Sequence, residues 1–193
     1  MTKSQSLAPG LLLAAPRLGD PNFERTVVLL ARHDAEGALG WVVNGRGLEP
    51  VASLLTTAGL VPEAVTLVEA GAFALPARVG GPVAGATGWV LYRREESPWE
   101  GEIAVNEALA VTGDMDALRE LMLSQDKDFR LFLGYAGWGP GQLEGEIAEG
   151  VWLPVGVDAE MILETSPEQL WERAYKRSVG IAPGAFTSRG GSA

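Results

Sequence analysis

The stretch from Thr26 to Val43 constrains the fold most. It reads Thr-Val-Val-Leu-Leu-Ala-Arg, then His33, then Asp-Ala-Glu-Gly, then Ala-Leu-Gly-Trp-Val-Val. The first run is β-branched and apolar without polar alternation, so it predicts a strand covered on both faces. Asp34–Gly37 has the chemistry of a tight turn, with Gly37 suited to positive φ. The second run returns as a partner strand. A hairpin over residues 26–43 therefore belongs to the inside of a sheet, and other elements must cover it. Apolar residues make up 47% of the chain, enough to supply that cover without a disulfide or metal staple.

The other segments suggest what surrounds the hairpin. Leu11–Pro16 is a short apolar strand candidate, and Leu18-Gly19-Asp20-Pro21 carries turn chemistry. Leu48–Gly59 has Val51, Leu54, Leu55 and Ala58 on one helical face. Val65–Glu69, Thr87–Arg93, Ile103–Val105, Leu109–Thr112, Arg130–Ala136 and Val151–Val155 read as strands. Asp114 caps a helix running to about Ser124, with Leu118, Leu121 and Met122 inward. Pro140 stands where a first helical residue should, with the helix continuing to about Ala148. Ser166-Pro167-Glu168-Gln169 spells a capping box opening a helix to about Ser178. Strands and helices are interleaved, yet short hairpin turns are present. The fold class is therefore α+β with a mixed sheet, carried by one domain over residues 1–183 and followed by a flexible Gly/Ser tail at 184–193.

Charge and cysteine content narrow the partners. Lys plus Arg number 15 against 25 Asp plus Glu, a net charge of −10. Phosphate backbones are neutralised by clustered Lys and Arg, so this balance argues against direct DNA binding and against an anionic membrane surface. The densest cations are Arg93-Arg94, followed at once by Glu95-Glu96, and Arg173/Lys176/Arg177, offset by Glu168 and Glu172. There is no cysteine, which removes thiol catalysis, zinc–thiolate sites and iron–sulfur clusters and fits a reducing cytoplasm. No uncharged apolar run approaches 18 residues, so a soluble cytoplasmic protein is expected.

Three segments are distinctive as a set: Leu11–Asn44 (LLLAAPRLGDPNFERTVVLLARHDAEGALGWVVN), the Gly80–Val83 loop (GGPV), and Arg130–Leu153 (RLFLGYAGWGPGQLEGEIAEGVWL). Their order resembles the YqgE/AlgH family of small bacterial proteins, over about Leu11 to Leu153. The chain departs from the family's Asn–basic–Pro continuation, reading Asn44-Gly45-Arg46-Gly47. The resemblance implies a bifurcated sheet curled into a pseudo-barrel with helices packed outside. It brings no established activity; the label often attached to the family is transcriptional regulator.

Candidate site residues carry two readings each. Gly134–Glu146 puts a Gly-rich loop between a strand and a helix, a geometry that can bind an anion. No Lys-Ser/Thr follows, so it is not a Walker loop, and Glu144 and Glu146 oppose an anion there. The competing reading is a tight turn freed by Gly137, Gly139 and Gly141 and anchored by Trp138. His33, the sole histidine, is either a general base or a turn histidine bonded to the Asp34–Gly37 backbone. Arg25 either clamps an anion or pairs with Glu144 or Glu146, and Arg130 invites the same two readings. Trp41, Trp89 and Trp152 are expected in the core, while Trp99 and Trp138 sit in loops and could form a recognition surface. With one histidine and no cysteine, no metal site and no cofactor are expected. No serine stands in a Gly-flanked elbow, and no dinucleotide fingerprint follows a strand.

Three functions follow. The first is a non-enzymatic regulatory or binding protein that grips a protein or small-molecule partner through Trp138–Gln142, with Arg25, His33 and Asn44 nearby. The second is a hydrolase using His33, Tyr135, Glu144 and Arg25, in a pocket between the hairpin end and the Gly-rich loop. The third is transcriptional regulation through a partner rather than by direct DNA contact. The absence of catalytic signatures favours the first.

Overall fold

The structure, a computed structural model, describes residues 6–16, 23–59, 75–94, 98–99, 101–123 and 129–180. The expected strand Val65–Glu69, the turn 18–21 and the tail 184–193 lie outside the described residues. The chain divides into two compact units, residues 1–44 with 136–193, and residues 45–135. Strand β9 (Phe129–Trp138) gives its residues 129–135 to the second unit and 136–138 to the first.

In the first unit, β1 (Gly10–Ala14), β2 (Val27–Asp34), β3 (Gly37–Val42) and β10 (Trp152–Val155) pair antiparallel in the order β10-β1-β2-β3. The end of β9 adds to β3, with Ala38 opposite Trp138 and Gly40 opposite Ala136. The unpatterned apolar run is explained by burial: Val27 through Leu30 are all fully covered. Leu12, Val28, Leu30, Val42, Trp138 and Trp152 share one core. Helices α3 (Gln142–Ala148), α4 (Ala159–Glu164) and α5 (Pro167–Val179) belong to this unit. α5 buries Leu170, Trp171, Ala174 and Tyr175, and the Trp171 indole donates to the Ala14 carbonyl at 2.9 Å.

In the second unit, β6 (Val83–Arg93) pairs antiparallel with β9 and with β8 (Leu109–Thr112), which pairs with β7 (Ile103–Ala104). β4 (Gly47–Pro50) pairs with β5 (Pro76–Val79), and β5 runs parallel to β9. Helices α1 (Val51–Thr57) and α2 (Met115–Leu123) complete it. Its core gathers Val51, Leu55, Val90, Tyr92, Leu118 and Phe129.

The architecture is the expected α+β with a mixed, mainly antiparallel sheet. Among the described residues the pairing path is open in each unit, so the strands are not closed into a barrel. Two helix starts differ from expectation. Leu48-Glu49-Pro50 is extended, not helical, because the residue before a proline is driven out of the helical region; α1 begins after Pro50. Pro140 lies in the turn before α3, whose N-cap is Gly141 at φ 72°. The capping box at Ser166 does not form: its side chain makes no cap bond, and Pro167 alone sets the start of α5. Helix α4 escaped the sequence reading altogether. Its N-cap is Asp158, whose carboxylate accepts the Met161 N–H at 2.9 Å.

Candidate functional site

The most distinctive sequence, the Gly-rich stretch, folds as the end of β9, a turn and α3, all in the first unit. The turn is anchored by one carboxylate. The indoles of Trp138 and Trp152 both donate to Glu146 Oε2, at 2.8 and 2.7 Å, and the Gln142 amide donates to Oε1 at 2.8 Å. The other end of Gln142 accepts the Gly139 N–H at 3.1 Å. The two indoles meet edge-to-face at 6.0 Å, and Phe23 meets Trp152 the same way at 5.5 Å. Trp138 is therefore a buried anchor and not an exposed recognition residue. Gly137, Gly139, Pro140 and Gly141 are exposed around it.

His33 is buried, with its side chain 3% exposed. Its Nδ1 accepts the Leu7 N–H at 3.0 Å, and its Nε2 lies 3.2 Å from Glu144 Oε1. A ring nitrogen that accepts a backbone N–H carries no proton, so Nε2–H donates to Glu144. The imidazole thus bonds the N-terminal segment and α3, not the Asp34–Gly37 backbone. The turn is closed instead by Asp34 Oδ1, which accepts the Glu36 N–H at 2.8 Å. Gly37 takes φ 132°, as the turn chemistry required.

Asn44 is a staple at the open end of the hairpin. Its Oδ1 accepts the Val27 N–H at 2.7 Å, and its Nδ2 donates to the Arg25 carbonyl at 2.9 Å. Arg25 pairs with neither Glu144 nor Glu146. Its guanidinium sits 4.8 Å from the Trp171 ring centroid and 3.7 Å from Glu172. The stacking on α5 accounts for the missed partner, and the Arg25 backbone takes a φ of 54°.

Arg130 and Tyr135 belong to the second unit. Arg130 donates to the Phe129 carbonyl at 3.0 Å, and Tyr135 meets Trp89 edge-to-face at 6.5 Å. Five of the eight candidates, His33, Asn44, Trp138, Gln142 and Glu144, thus brace the hairpin and the turn of the first unit. Arg25 is committed to α5.

The second unit holds a polar constellation that sequence reading missed. Glu102, its side chain 5% exposed, accepts the Tyr92 hydroxyl at 2.6 Å and the Arg94 Nε–H at 2.7 Å. Burial pushes this carboxyl up, but the bonds from Tyr92 and Arg94 outweigh it and hold it below the ordinary glutamate value. The only signal was an acid eight residues after a basic one, too common to single out. Among the described residues no cluster of three or more His, Asp and Glu side chains could hold a metal ion, and no helix is long and apolar enough to cross a membrane.

Comparison with known proteins agrees on one family. A family model described as AlgH-like matches residues 11–183. A UPF0301 protein of Anaeromyxobacter dehalogenans is 42% identical over 190 residues, 97% of this chain and 95% of that protein. A UPF0301 protein of Streptomyces coelicolor is 39% identical over 181 residues, covering 93% and 91%. The solution structure of the AlgH protein from Pseudomonas aeruginosa superposes with a TM-score of 0.75 at 29% identity, over all of both chains.

Proposed function

This chain belongs to the AlgH-like family, and from that premise we propose a cytoplasmic, non-enzymatic regulatory protein that presents the turn after β9 to a protein partner. The observation that carries this reading is the bracing of that turn. Its exposed residues, Gly137 and Gly139–Gly141, are flanked by side chains turned inward onto one another. A loop already held in one shape loses little conformational freedom on binding. A general base needs a lone pair facing its substrate, and the Nδ1 lone pair of His33 is spent on the Leu7 N–H. Regulation of transcription through such a partner fits the acidic chain, and direct DNA contact does not.

The test uses Gly139, where an added Cβ would meet only Gln142 Oε1, at 3.9 Å. Gly139→Arg therefore places a long side chain on the turn without disturbing the fold. Native protein and the variant, fixed in parallel on a support, are exposed to extract of the source cells. Proteins retained by the native chain and lost by the variant, at unchanged thermal stability, are expected. Identical retention profiles end this reading.

The exposed Glu144 carboxylate, oriented by the His33 Nε2–H, favours one alternative, a small-molecule hydrolase with Glu144 as its base. It requires ester or amide hydrolysis that disappears in His33→Gln while the fold persists.

A further inference from the structure

A cleft of about 330 Å³ opens in the first unit, beside the loop from β10 to α4 and against α5. Small-molecule sites run from about 300 to 1,000 Å³, so this one suits a ligand at the small end of that range. Leu11, Met161 and Ala174 lie beneath the cleft, almost fully covered, and its apolar surface comes from the half-buried Val155 and Val157. Its rim is charged. Arg177 on α5 bonds Asp158 Oδ2 across the mouth.

The two charges differ in how they are held. Asp158 is fixed, because its Oδ1 accepts the Met161 N–H at 2.9 Å. Each of its oxygens can still accept a further bond. The Arg177 side chain is 68% exposed. A guanidinium has five N–H donors, so the bond to Asp158 leaves others for a second acceptor. A simple anion at this rim would be opposed by Asp158, and a simple cation by Arg177. A molecule carrying both charges on one carbon satisfies both, and an apolar tail of it meets Val155 and Val157. The mouth is also unobstructed at Gly156, where an added Cβ would meet nothing within 4 Å.

From this arrangement we propose that the cleft binds a free α-amino acid with an apolar side chain. Its ammonium bonds Asp158, its carboxylate bonds Arg177, and its side chain lies against Val155 and Val157. This site stands independently of the turn after β9.

Titration calorimetry with L-leucine and L-methionine tests it. The controls are 4-methylpentanoate, which lacks the ammonium, and 3-methylbutylamine, which lacks the carboxylate. Saturable binding of an amino acid is expected, with each control weaker by about tenfold or more, the loss of one charged contact. Arg177→Gln should weaken binding by a similar factor. Asp158→Asn, which keeps a side-chain oxygen to cap α4 and removes the charge, should weaken it as well. Both variants are first shown to be folded by circular dichroism. Three results would each overturn the proposal: no saturable heat up to about 10 mM ligand, a control that binds as well as the amino acid, or undiminished binding by both folded variants.

Discussion

Glu144 and Glu146 stand two residues apart in the same short helix, yet the structure gives them different work. Glu144 is exposed and accepts one bond, from His33. Glu146 is half-buried and accepts three, two of them from indoles with no other acceptor among the bonds described. Glu146→Ala strands two buried donors, at about 1–3 kcal/mol each, so a loss of roughly 2–6 kcal/mol is expected. Glu144→Ala strands one, the His33 Nε2–H, so a smaller loss of about 1–3 kcal/mol is expected. Urea unfolding of the two variants checks the contrast, and equal losses would contradict it. The sequence could not rank these residues. Both read as acids opposing an anion, because only the fold decides that the Trp138 and Trp152 indoles reach Glu146 while His33, 111 residues away, reaches Glu144. Glu102 makes a second case. Its carboxyl is held below the ordinary value in the folded chain, so ionised Glu102 stabilises the fold above the usual glutamate range of about 4.3, and that contribution fades as pH falls through the folded value. Native protein should therefore exceed Glu102→Gln in stability at pH 7, with the gap narrowing as pH falls below the usual glutamate value of about 4.3. Urea midpoints across this range measure it; a gap that widens in acid would reverse the sign.

At the scale of elements, the hairpin was legible because its code is local. Consecutive apolar residues gave the strands, and Asp34–Gly37 gave the turn within a residue of its observed place. The turn demands glycine twice over. Gly37 has φ 132°, and an added Cβ would stand 2.1 Å from the Trp138 carbonyl oxygen. Gly37→Ala should cost about 2–4 kcal/mol, from backbone strain and displacement of β9 from β3. Gly139→Ala, with open space around its Cβ, should stay within about 0.5 kcal/mol of native. Denaturant midpoints distinguish them, and a mild Gly37→Ala would mean that the β3–β9 contact yields easily. Helix starts were less legible. Leu48 and Glu49 fit a helical face, but Pro50 directs the preceding residues into β4. The missed α4 has six residues, too few to show a periodicity, and only its Asp158 cap marks it. The bracing role of Asn44 was also invisible. Nothing near it in sequence reports that its amide will clamp Val27 and Arg25 across the hairpin.

At the scale of the molecule, charge decides which partners the chain can take. The chain carries −10, and the structure shows how its cations are spent. Arg94 lies against Glu102, Arg25 against Glu172, Arg32 against Asp34, Arg119 against Asp116 and Arg177 against Asp158. On the most basic element, α5, Arg177 is answered by Asp158 across the cleft, and Glu172 on the same helix takes up Arg25. Duplex affinity comes mainly from cations that displace counterions from phosphates, and a cation already paired with a carboxylate must first lose that partner. Direct binding of DNA should therefore be absent even where salt least opposes it. Electrophoresis of random and genomic duplexes at about 50 mM salt is expected to show no retardation by the native chain. Retardation that weakens steeply with added salt would show an ordinary phosphate footprint, and the reading of α5 as a charge-balanced helix would then fail. Salt-insensitive retardation would contradict the charge argument as a whole, since it would need base or shape recognition without a cationic surface to position it. If neither occurs, any influence on transcription has to pass through a protein, and the Gly139→Arg comparison is the experiment that would find it.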